Sequence, residues 1–122
     1  MEKKVKSVED LEVFKKAHLL VLKIYDLTKS FPSEERYGLT AQIRRAAYSI
    51  PSNLMEGGNR LGRKEYRQFV GISRGSAAEL KYHLLLSKDL GYISSENYNS
   101  MENEISEISR MLMGLANTLG KR

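Results

Sequence analysis

Seven apolar residues toward the end of the chain, Tyr98, Met101, Ile105, Ile108, Leu112, Leu115 and Leu119, alternate steps of three and four without a miss. An α-helix places such positions on one face, and that face must be buried against other helices. The same rhythm appears early, where Val13, Ala17, Leu20, Ile24, Leu27 and Phe31 are spaced four, three, four, three, four. Phe14, Val21 and Tyr25 widen that first face into a second stripe. No strand-like alternation competes with these patterns, so the chain reads as all-α, a bundle of helices around one seam.

Periodicity predicts four helices, over about 9–30, 33–56, 63–90 and 95–119, in a single domain spanning residues 1–122. Ser7 and Asp10 are spaced as a capping box ahead of the first helix, and Pro32 closes it. Helix two carries Leu39, Ile43, Ala46, Ala47, Ile50 and Leu54, with an irregular first turn expected at Gly38. Pro51 falls inside that pattern, where a missing backbone donor and a steric clash predict a kink. On helix three, Tyr66, Phe69, Ser73, Ala77, Leu80 and Leu84 share a face, while Gly71, Gly75 and Ala78 form a small-residue edge open to close approach. Ile72 and Leu86 lie on yet another side, and apolar residues on so many sides suggest self-association. The glycines of the segment Gly57 to Gly62 permit left-handed backbone and a tight reversal. Gly91 is positioned to end helix three in a left-handed turn, and Ser94 or Ser95 to cap helix four.

Composition removes several function classes. There is no cysteine among the 122 residues, hence no disulfide, thiolate metal site or cysteine nucleophile. Aliphatic runs such as Leu19 to Leu22 are far too short to span a bilayer, and the charged start from Met1 to Lys6 precedes no apolar signal region. The expectation is a cytoplasmic protein with no membrane partner. His18 and His83 are the available imidazoles. His18 reads as a partly buried packing residue beside the helix-one stripes. Glu79 and His83 are one turn apart, but no Glu-x-x-His pair is present, so no metal site or cofactor is expected. The glycine-rich segment has neither phosphate-loop pattern. Ser49, Ser52, Ser73 and Ser76 lack a His/Asp constellation. The chain reads as non-enzymatic.

The formal net charge of +5 is unevenly placed. Residues 36–88 carry ten basic against three acidic side chains (Glu56, Glu65 and Glu79), a net +7. Within that stretch Arg60, Arg67, Arg74, Lys81 and Lys88 stand seven apart, an interval that keeps side chains on one slowly drifting edge of a helix. Arg44 and Arg45 on helix two join Arg60, Arg63, Lys64 and Arg67 in the densest cluster. Guanidinium groups take phosphates bidentately, so Arg44, Arg45, Arg60, Arg63, Lys64, Arg67, Arg74 and Lys81 are the candidate nucleic-acid contacts. Tyr48, one turn after Arg44, could stack on an unpaired base or pack against a neighbouring helix. Glu56 is placed to pair with Arg60 at i+4. No base-reading motif is visible, which predicts sequence-tolerant binding of RNA or DNA through the phosphate backbone.

The segment Tyr37 to Arg60, YGLTAQIRRAAYSIPSNLMEGGNR, is specific enough to carry a resemblance. It resembles the four-helix-bundle proteins encoded within intervening sequences of bacterial 23S ribosomal RNA genes. Those are in turn similar to the accessory variability proteins of diversity-generating retroelements. Agreement extends to Asp10 to Ala17, Phe31-Pro32, Gly75 to Leu80 and Leu90 to Ile93; Phe14 stands where relatives often have tryptophan. The resemblance implies an antiparallel up-and-down four-helix bundle that assembles into a homopentameric barrel with a basic surface. It implies an accessory role toward nucleic acid. The many-sided helix three keeps open the alternative of an adaptor or structural oligomer that docks a protein such as a reverse transcriptase or a ribosome-associated factor.

Overall fold

The computed structural model describes residues 7–121. Its four helices are α1 (Glu12–Thr28), α2 (Leu39–Gly58), α3 (Arg63–Asp89) and α4 (Ser95–Leu119), and there is no strand among the described residues. α1 packs against α2 and α4, and α3 packs against α2 and α4, so the four close around one core. That core is the expected stripes brought together. Leu20, Ile24, Ile43, Ile50, Leu54, Leu80, Leu84, Ile108 and Leu112 are all fully buried. Burial of such side chains contributes roughly 1.5–3 kcal/mol each. No described helix is long and apolar enough to cross a membrane. The charged segment Met1 to Lys6 lies outside the described residues.

Two element boundaries differ from the periodic reading. The pair Ser7 and Asp10 caps a separate 3-10 turn (Val8–Asp10), with the Ser7 N–H donating to Asp10 Oδ2 at 3.2 Å. Leu11 then adopts extended backbone, and α1 starts at Glu12. Similarly, Ser33–Glu35 is a 3-10 turn after Pro32, not the start of helix two. Glu35 reaches forward so that its Oε1 accepts the Leu39 N–H at 3.2 Å, and α2 begins there, after Gly38. A carboxylate at that end satisfies an otherwise orphan donor and complements the helix dipole.

α2 runs unbroken through Pro51, which is buried. Next to it the fully buried Ser73 of α3 donates to the Ile50 carbonyl at 2.7 Å, binding the two helices side by side. The chain turns tightly after Gly58, over residues 59–62, but without left-handed backbone. Gly57 and Gly58 complete α2, and Gly91 is the sole described residue with positive φ. Their role is close approach: a Cβ on Gly57 would stand 2.6 Å from the Phe69 Cβ, and one on Gly58 would collide with Val8. The expected tight turn is therefore present at this segment, and its expected left-handed backbone is corrected to a helix end packed against α3 and the N-terminal turn.

At the other end of α3 the expectation holds. Gly91 sits at φ +82°, the Tyr92 N–H donates to the Ser87 carbonyl at 2.8 Å, and the Gly91 N–H donates to Lys88 at 3.0 Å. This is the paired bonding of a Schellman ending. Ser94 caps α4 by accepting the Asn97 N–H at 3.0 Å. α4 is then held from both sides by ion pairs: Lys16 and Lys23 of α1 reach Glu107 (2.7 Å) and Glu104 (2.9 Å), and Lys81 of α3 reaches Glu102 (3.5 Å).

Candidate nucleic-acid interface

The chain turns from α2 into α3 at its densest basic segment, and the arginines there do different jobs. Arg60 lies between two carboxylates, Glu56 at 3.4 Å and Glu65 at 3.5 Å, with its guanidinium carbon 4.7 Å from the Phe69 ring centre. The expected pair with Glu56 is present, and Glu65 completes the local neutralisation. Arg63 donates to the carbonyls of Thr118 (2.6 Å) and Leu119 (3.4 Å), and Arg67 donates to that of Ala116 (2.9 Å). These carbonyls lie in the last turn of α4, the negative end of its dipole, where Ala116 and Thr118 also accept the backbone N–H of Gly120 (3.0 Å) and Lys121 (3.2 Å). Both arginines thus fasten α3 to α4 while keeping their formal charge. Lys64 and Arg74 are exposed and have no hydrogen bond or ion pair among the described residues.

The seven-residue ladder accordingly consists of unlike rungs. Arg60 and Lys81 are paired with carboxylates, Arg67 with a carbonyl, and Lys88 weakly with Asp89 at 3.9 Å while lying 4.9 Å from the Tyr98 ring centre. Among the described residues, Arg74 is the one rung whose side chain has no partner.

Arg44 and Arg45 do not join this cluster. They stand near the start of α2 and Arg60 follows its end, about 20 Å away along the axis at 1.5 Å per residue. Arg44 is half-buried: its Nε donates to Thr28 Oγ1 at 2.9 Å, its Nη2 to the Tyr25 carbonyl at 3.3 Å, and its guanidinium lies 4.5 Å from the Tyr25 ring centre. It closes the end of α1. Arg45 is exposed and unpartnered among the described residues. Tyr48 is 46% exposed and lines an α1–α2 groove with Phe14, His18, Met55 and Arg60. His18, expected to be partly buried, is exposed there and stacks on Phe14 with an interplanar angle of 7°.

A second groove, of about 530 Å³, runs between α3 and α4. Arg67 and Arg74 line it together with Gly71, Gly75, Ala78 and Met113, and no acidic side chain does. A Cβ added at Gly71 or Gly75 would meet nothing within 4 Å, so the small-residue edge faces open space. The arrangement can receive an anionic chain: two guanidinium groups two turns apart beside a shallow, small-residue trough.

Glu79 Oε2 and His83 Nε2 are 3.9 Å apart, His83 Nδ1 is buried without a partner, and no group of three potential metal ligands occurs among the described residues.

A family model for the 23S rRNA-intervening sequence proteins matches residues 9–114. Among solved structures, the chain is similar to a protein of unknown function from the S23 ribosomal protein family of Bacteroides thetaiotaomicron. The two are 28% identical and superpose with a TM-score of 0.79, over 85% of this chain and 97% of that one. No curated protein matches the chain. With all four helices inside or overlapping the matched span, the protein belongs to the 23S rRNA-intervening sequence protein family.

Proposed function

We propose that this protein is a non-enzymatic, oligomeric accessory protein that binds the phosphate backbone of RNA or DNA. The observation that carries the reading is the edge of α3. Arg63, Arg67 and Arg74 share it, Lys64 stands beside it, and none of the four has a carboxylate partner among the described residues. Positive charge left uncompensated along about 11 residues of helix suits a polyanion better than a compact ligand. Arg45 would extend the surface on α2, whereas Arg44, Arg60 and Lys81 act chiefly within the fold.

The reading includes an antiparallel up-and-down bundle, to which the ion pairs lend support: Lys16 and Lys23 on α1 meet Glu107 and Glu104 on α4 in reverse order. It also includes assembly into a homopentameric barrel, the form the family resemblance implies, in which the edge would recur around the ring and weak contacts would gain avidity. The likeness to retroelement accessory proteins belongs to the same proposal.

The test substitutes Lys64→Gln and Arg74→Gln together, since neither side chain holds the fold. Titration of labelled single-stranded RNA at low salt should show binding by the wild type and clear weakening in the variant. Unchanged binding by a folded variant would remove the α3 edge from the mechanism.

A second reading, an adaptor or structural oligomer that docks another protein, is favoured by apolar exposure. Leu19 (56%), Leu22 (54%), Ile72 (52%) and Tyr82 (60%) are more exposed than a self-contained core requires. Capture of one stoichiometric protein partner that survives nuclease treatment would support it over the first.

A further inference from the structure

Where α1 gives way to α2, a pocket of about 450 Å³ gathers three cationic side chains, Lys29, Arg36 and Arg44, with three hydroxyl-bearing ones, Thr28, Ser33 and Thr40. No acidic side chain lines it. Two other cavities are balanced in charge: the α1–α2 groove sets Arg60 against Glu56, and the α1–α4 cleft sets Lys16 and Lys23 against Glu104 and Glu107. The α3–α4 groove also lacks an acidic side chain, but it gathers two cations and a single hydroxyl, that of Ser109. We propose that the pocket of Lys29, Arg36 and Arg44 is a binding site for a phosphate monoester.

Of the nearby carboxylates, one is held at the start of α2 and another faces Lys29. Glu35 accepts the Leu39 N–H with Oε1 and the Tyr92 hydroxyl with Oε2, at 3.2 and 2.9 Å. Asp26 reaches Lys29 only at 3.8 Å, with both side chains largely exposed. The Arg36 guanidinium has no ion pair or hydrogen bond among the described residues and lies 5.9 Å from the Tyr37 ring centre. Arg44 uses Nε and Nη2 on α1, and its Nη1 has no acceptor among the described residues. Guanidinium forks prefer phosphate oxygens, and three unit charges suit a dianion better than a carboxylate.

The most telling group is Thr40. It is 7% exposed, and its Oγ1 has no hydrogen-bond partner. Thr28 shows the usual alternative, donating to the Ile24 carbonyl one turn back at 2.8 Å. Thr40 lacks that option because it lies in the first turn of α2, and the residue four back, Arg36, precedes the helix. A helical threonine divides between two χ1 rotamers, so this hydroxyl can swing to meet an anion in the pocket. The positive end of the α2 dipole lies at the same place, with its Leu39 N–H already taken by Glu35. Phe31 and Pro32 supply an apolar wall, and the volume exceeds that of a bare phosphate, leaving room for an attached organic group.

This site is independent of the α3 edge, and the experiment keeps the two apart. Inorganic phosphate and adenosine 5′-monophosphate are titrated into the full chain at millimolar concentrations, followed by amide chemical shifts of residues 28–44. The proposal expects saturable shifts there, an affinity loss of about tenfold in Arg36→Gln, and no change in Lys64→Gln/Arg74→Gln. Thr40→Val should weaken binding severalfold while holding or raising the urea midpoint, because it removes an unpartnered hydroxyl. Preference for a 5′-phosphorylated over a 5′-hydroxyl RNA oligonucleotide at high salt would assign the phosphate to a nucleic-acid end. Binding of the mononucleotide without that preference would assign it to a small molecule. The absence of saturable shifts with either probe would overturn the site. So would a Thr40→Val variant that loses stability but keeps its affinity.

Discussion

At the scale of single residues, four glycines divide by what a methyl group would meet. Gly57 has no room: the added Cβ would be 2.6 Å from Phe69 Cβ and 3.1 Å from Tyr66 Cδ1. Gly75 lies in open space on the same pair of packed helices. Gly57→Ala should therefore lower stability by about 1–3 kcal/mol through overpacking. Gly75→Ala should leave stability unchanged or raise it by up to about 1 kcal/mol through helix propensity. Urea denaturation of the two variants separates these outcomes, and a loss at Gly75 would mean that another chain covers that edge. Gly58 and Gly91 complete the set, one excluded by Val8 and the other by its left-handed backbone. The arginines divide in a similar way. A guanidinium bonded to a carbonyl, as in Arg63 and Arg67, retains its charge, whereas Arg60 between two carboxylates is locally neutralised.

At the scale of elements, α4 is the clearest case of a helix held by charge on its flanks and apolar packing on its face. The hydrogen bond from Lys16 holds the Glu107 carboxyl below the usual carboxylate range, and the same contact raises Lys16. A depressed carboxylate contributes stability above its unfolded value and loses it as pH falls through the folded one. A raised lysine contributes at neutral pH and loses that contribution as pH rises through its folded value. The pair therefore acts across the middle of the pH range and fades at both ends. Glu107→Gln should reduce the urea midpoint at neutral pH and converge with the wild type in acid. A constant difference at all pH values would exclude the linkage. The stripes of α1 and α4 were legible because periodicity reports burial directly. The 3-10 turn at Ser33–Glu35 was not, because the bond from the Leu39 N–H to Glu35, not apolar spacing, decides where α2 begins. Gly57 and Gly58 were misread because tertiary contact with Phe69 and Val8 overrides glycine's poor helix propensity. The charge excess of residues 36–88 was equally plain, but its partners were not. Arg63 finds the Thr118 carbonyl 55 residues away, and no local spacing encodes such a bond. Lys29 and Arg36 escaped notice for the same reason, since only the fold brings them beside Arg44.

At the scale of the whole molecule, four helices close one core and still leave Leu19, Leu22, Ile72 and Tyr82 more than half exposed. If these surfaces join subunits, Leu19→Asp/Leu22→Asp should shift the mass measured by sedimentation toward the monomer without loss of helicity. An unaltered mass would exclude the α1 face from assembly. The central claim is that uncompensated charge along α3 binds a phosphate backbone, and counterion release tests it most directly. Each phosphate contact contributes about 0.7 units to the slope of log affinity against log salt for single strands. The slope for single-stranded RNA should be negative in the wild type and shallower by about 1.4 per engaged subunit in Lys64→Gln/Arg74→Gln. A slope near zero, or one that both proteins share, would contradict the account.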